Sequence, residues 1–143
     1  MSIATNKRLI ERYYAELWNA KKIALAEKIL DPNLTFRGSL GNTVSGIEGF
    51  KTYMQIVHLA FPDFTNTVEE LIAEKNTVVA RLTYGGTNRG ELFGRKGTGR
   101  KVTYRGIAIF QIKKGKIVSG YVIGDRTGLQ EQLRAQPAKK ARR

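Results

Sequence analysis

RKVTYRGIAIFQIKKGKIVSGYVIGD, residues 100–125, reads as two long β-strands joined by a tight turn at Lys114-Gly115. Side chains alternate across a strand, so Tyr104, Ala108, Phe110 and Ile112 share one face of the first run. Arg105, Ile107 and Ile109 share the other. In the second run, the same parity places Ile117, Ser119, Tyr121, Ile123 and Asp125 together. Both faces are apolar for much of their length. One is expected to pack on the chain's own helices and the other on something further, a second copy of the sheet being the candidate.

Moving outward, FTNTVEELIAEKN (64–76) and TVVARLTYGGTN (77–88) read as two more strands, with Val78, Ala80, Leu82 and Tyr84 on one face. The intervening 85–99 is rich in glycine and is expected to be a loop. The first sixty residues have a different period. Leu9, Tyr13, Leu17 and Ala20, with Ile10 and Tyr14 beside them, recur at helical spacing over 5–20, with Thr5 or Asn6 as cap. A shorter helix around Ile23–Leu30 is expected to stop at Asp31-Pro32. Leu34–Arg37 is a brief strand, GSLGNTVSG (38–46) a loop, and 47–60 a third helix carrying Phe50, Tyr53, Met54 and Val57 on one face. Three helices followed by an antiparallel meander predict an α+β fold in one domain.

The chain has 143 residues, 41% hydrophobic and 26% charged, enough for one core without covalent support. It has no cysteine and one histidine, His58, so disulfides, thiolate metal sites and multi-histidine metal sites are excluded. No apolar run approaches the roughly 20 residues of a membrane span, and the N-terminus lacks the pattern of a secretory signal. A cytoplasmic location is expected. The net charge is +13; five of those charges lie in the last ten residues, RAQPAKKARR, leaving +8 for residues 1–133. A domain over 1–133 followed by a basic, disordered tail at 134–143 is therefore expected. Such a balance draws nucleic acid or acidic partners, or simply solvates the surface.

The loop at 85–99 contains no phosphate-binding glycine pattern, and no serine sits in a nucleophile-elbow sequence. His58 borders the apolar face of the third helix, where it is either a hydrogen-bonding residue or an acid/base. Asp125 has two readings on pattern alone. It caps the following segment, TGLQEQL, or it is a carboxylate at the mouth of an apolar cavity, its pKa raised toward neutrality.

Several stretches together resemble the SnoaL-like polyketide cyclase family, within the nuclear transport factor 2-like superfamily of cone-shaped α+β folds. They are AFPDF (60–64), VEELIAEKNTVVARLTYGGTNRGELFG (68–94), TGRKVTYRGIAIFQIKKGKIV (98–118) and GDRTGLQEQL (124–133), with ERYYAELWN (11–19) and GIEGFKTYM (46–54) in support. The resemblance implies a curved, mostly antiparallel sheet wrapped around three N-terminal helices, a deep apolar pocket, and dimers packed sheet to sheet. It implies that Asp125 is the acid/base of an aldol-type ring closure, without metal or cofactor, on a small hydrophobic carbonyl-bearing molecule. Two positions depart from the family pattern: Tyr121 stands where many members carry tryptophan, and Phe36-Arg37-Gly38 where many carry a histidine. Arg37, Tyr121 and His58 are then the polar pocket candidates, and Trp18, Phe50, Tyr53, Phe61, Phe93, Tyr104 and Phe110 the wall. A non-catalytic binding protein of the same fold is the alternative, and a nucleic-acid binder a further one.

Overall fold

In the computed structural model, which describes residues 2–134, four helices lie with a six-stranded sheet that curves without closing. Helix α1 (Ile3–Arg12) begins earlier than the sequence suggests, because Ser2 accepts the Thr5 N–H at 3.0 Å and takes the cap. The chain then widens into a π-wound stretch over Tyr13–Asn19. The wider turn lets Tyr13, Tyr14, Leu17 and Trp18 all face inward. A 3₁₀ turn (Ile23–Leu25) leads into the short α2 (Ala26–Ile29).

Strand β1 (Leu30–Arg37) is longer than expected and contains Pro32, at the register irregularity between Leu30 and Thr35 where no ladder hydrogen bond is needed. The stretch read as a loop holds a short β2 (Thr43–Ser45), and α3 (Gly46–Ala60) follows. Strands β3 (Thr65–Glu74), β4 (Thr77–Thr87), β5 (Lys101–Lys113) and β6 (Lys116–Gly124) form the meander, and α4 (Arg126–Arg134) closes the described chain. The sheet order is β2-β1-β6-β5-β4-β3, with only β1 and β6 parallel. The basic tail lies outside the described residues beyond Arg134.

The β5 alternation is as the sequence implies: Val102, Tyr104, Ala108, Phe110 and Ile112 are buried and their neighbours exposed. In β6 the parity breaks. Gln111 pairs with Ser119 but Ile112 pairs with Ile117, so Val118 is an extra residue and a bulge turns the strand over. Ile117 therefore faces the helices, while Tyr121 and Ile123 point to the convex, outer face, each just over half exposed. The shared pocket-side face assigned above to Ile117, Tyr121 and Asp125 is corrected accordingly.

Candidate functional site

The concave side of the sheet and the helices enclose an aromatic interior. Trp18 and Phe64 pack ring to ring at 5.9 Å, Phe64 stacks on Tyr84 at 5.8 Å, and Tyr84 meets Tyr104 at 4.8 Å. At the centre is a cavity of about 20 Å³, lined among others by Tyr14, Trp18, Tyr53, Val57, Tyr84 and Val122. That is room for about one water molecule. The deep pocket implied by the resemblance is thus filled here by large side chains, including Tyr13 and Tyr14 from the π-wound stretch.

Among the described residues, the polar atoms lining this cavity are hydroxyls, amides and the Trp18 indole, with no charged side chain. Ser39 Oγ lies 2.9 Å from the Tyr104 hydroxyl, and the Leu40 N–H donates to the Tyr53 hydroxyl at 3.3 Å. Asn66, also lining the cavity, is held by Asn19, whose Oδ1 accepts the Asn66 N–H at 2.8 Å. Burial pushes the Tyr13, Tyr14, Tyr53, Tyr84 and Tyr104 phenols far toward their protonated form, so all five remain neutral hydrogen-bond donors.

The predicted site residues do not come together in one place. Trp18 and Tyr53 line the cavity; Tyr104 stands behind it through Ser39; Phe50, Phe61 and Phe110 are fully buried packing around it. Arg37 and Tyr121 are together, but outside. The Arg37 guanidinium lies 5.3 Å from the Tyr121 ring centre and donates to the Val122 carbonyl. Asp125 is exposed at the end of β6. Its Oδ1 accepts the Gly128 N–H at 2.9 Å and its carbonyl the Leu129 N–H at 3.1 Å, so it caps α4.

His58 is half-buried beside Trp18, 5.6 Å between rings, in a surface groove with Lys21 and Lys51 rather than in the interior. Its Nε2 is buried with no hydrogen-bond partner among the described residues, and burial, with Lys21 second, holds its pKa below the ordinary histidine value. Phe93 sits exposed at a hairpin tip far along the 88–99 loop. Tyr14, Ser39, Phe64, Asn66 and Tyr84 were not singled out as site residues. The signal for Tyr84 was present in its inward parity with Val78, Ala80 and Leu82; Ser39 and Asn66 carried none.

A curved, unclosed sheet over packed helices is the architecture of the nuclear transport factor 2-like α+β fold. The model of the SnoaL-like polyketide cyclases matches residues 8–133, and the chain belongs to that family. A proposed SnoaL-like polyketide cyclase from Jannaschia sp. CCS1 superposes with a TM-score of 0.87 at 20% identity, covering 96% of this chain and 97% of that one. TsrD from Streptomyces laurentii gives 0.83 at 26% identity, covering 95% and 99%. AclR from Streptomyces galilaeus, a proposed hydroxylase, gives 0.81 at 27% identity, covering 95% and 100%. No curated protein matches the sequence. No helix among the described residues is long and apolar enough to cross a membrane.

Proposed function

We propose that this protein is a cofactor-independent cyclase, performing acid/base chemistry on a hydrophobic, carbonyl-bearing molecule held in the interior of the cone. The step is abstraction of a proton alpha to a carbonyl, followed by attack of the resulting enolate carbon on a second carbonyl to close the ring. The observation that carries this reading is the interior itself: neutral hydroxyls of Tyr14, Tyr53, Tyr84, Tyr104 and Ser39 set among aromatic rings, within a cyclase-family fold. Hydroxyl donors in a dry site stabilise charge developing on a carbonyl oxygen. Because the cavity is near 20 Å³, a substrate enters by displacing side chains such as Tyr14 and Trp18.

Asp125 is the proposed acid/base, on the strength of the family resemblance. Its Oδ1 is used by the cap, and Oδ2 has no hydrogen-bond partner among the described residues. Proton exchange alpha to the carbonyl of α-tetralone, followed by NMR in deuterated water, tests the role. Asp125→Asn keeps the cap and removes the base, so exchange should fall by about 10²-fold or more. Full exchange in that variant would remove Asp125 from the mechanism.

A second reading, a non-catalytic binding protein, is favoured by one specific observation: among the described residues no carboxylate or imidazole is buried in the interior, and Asp125 already serves the helix. It predicts α-tetralone binding with no exchange in the wild type. We also propose a homodimer through the outer sheet face, where Ile107 pairs with Ile123 and Ile109 with Tyr121. Nucleic acid is the alternative partner for the basic surface and tail, and a full chain that binds no DNA at moderate salt would dismiss it.

A further inference from the structure

The loop between β4 and β5 is fixed at its base and strained at its tip. Asn88 is buried, and its side chain accepts the Thr98 N–H at 2.8 Å and donates to the Gly90 carbonyl at 2.9 Å. Leu92 and Arg95 exchange two backbone hydrogen bonds at 2.9 Å each, making a two-residue hairpin whose central residues are Phe93 and Gly94. Both have positive φ, 53° and 76°, the geometry of a type I′ turn. Glycine adopts it freely, whereas a bulky residue such as phenylalanine there is an outlier held by its surroundings.

Two concavities meet at that tip. On one side, a cleft of about 160 Å³ against α4 carries Arg95, Lys96 and Arg134, with Thr98 and Gln130 as neutral polar groups. On the other, a groove of about 610 Å³ is lined by Leu40, Ile56, Leu59 and Phe93, with Asn42 and Glu91 as its polar groups. Ile56, Leu59 and Phe93 are all exposed large hydrophobics, Leu59 at 66%. Leu92 and Phe93 belong to both walls, and neither concavity shares a lining residue with the interior cavity. No carboxylate lines the cleft, and among the described residues its three cations form no ion pair.

We propose that this hairpin is a second binding site, for a small amphiphilic anion. Its carboxylate or phosphate head sits at Arg95, Lys96 and Arg134, and its apolar body crosses Phe93 into the groove over Leu59 and Ile56. The charge recognises the head, and burial of the exposed groove side chains supplies the apolar contribution. Holding Phe93 at positive φ keeps its ring where both halves of the ligand touch it.

Isothermal titration of the full chain with dodecanoate below its micellar concentration tests the site. One-to-one binding is expected, with dodecan-1-ol and butanoate each at least about tenfold weaker. Arg95→Glu combined with Lys96→Glu should cost a similar factor, whereas Lys113→Glu, on an exposed strand end, should cost nothing. Phe93→Gly should weaken binding while leaving the melting temperature equal or higher, since glycine relieves the turn. Dodecyl phosphate binding as well as dodecanoate assigns the site to anionic amphiphiles generally; dodecanoate alone, to fatty acids. Equal affinity for dodecan-1-ol, an equal loss in Lys113→Glu, or binding only to phosphatidylglycerol vesicles and not to soluble dodecanoate would overturn the proposal.

Discussion

Asp125 joins two elements: its own N–H donates to the Arg105 carbonyl at 2.8 Å, while its carboxylate receives the Gly128 N–H. Removing the side chain with Asp125→Ala should therefore cost about 0.5–2 kcal/mol of stability, and Asp125→Asn much less, as thermal melts of the two variants would show. This pair separates structure from chemistry, because only a base is lost in the asparagine variant. His58 gives a second residue-scale expectation. Its folded pKa lies below its unfolded value of about 6.5. The unfolded chain then binds more protons between the two values, so this contribution is present above pH 6.5 and is lost as pH falls through the folded pKa. His58→Gln should flatten the decline in stability just below pH 6.5. An NMR titration placing the imidazole at or above 6.5 would contradict it.

At the scale of elements, the hydroxyl cluster depends on how β1 leaves the sheet. Gly38 follows β1, and a Cβ added there would come within 2.1 Å of the Tyr53 ring. Gly38→Ala should push Tyr53 off the Leu40 N–H and cost about 1–3 kcal/mol, read as a lower melting temperature. The elements also show what the sequence can carry. The β5 alternation and the apolar face of α3 were legible because one repeating period decides them. The face of Tyr121 was not, because a single extra residue, Val118, inverts every later side chain and leaves no mark in composition. The π-wound stretch was likewise hidden: Tyr13 and Tyr14 fit a helical spacing, and only the wider turn brings both inside.

For the whole molecule, the outer sheet face is the feature the fold leaves unexplained. Ile72 pairs with Val79, Val79 with Ile109, and Ile109 with Tyr121, an apolar row across four strands. If two copies pack through it, Ile109→Asp should yield a monomer by analytical ultracentrifugation with the fold intact by circular dichroism. A wild type that is already monomeric at high concentration would dismiss the dimer. The α+β class was readable because it follows from element order and length; the family was readable only as a resemblance carried by six stretches spread over the chain. The volume of the interior was not, because it depends on how Tyr14, Trp18 and Tyr84 pack in three dimensions.

On the proposed function, a carbonyl-bearing molecule occupies this interior. Intermolecular NOEs between α-tetralone and the protein report on it directly. Contacts from the ketone's ring protons to Tyr14, Tyr53 and Tyr84 are expected at saturating ligand. Contacts confined to Leu59 and Phe93, or none at all, would contradict it.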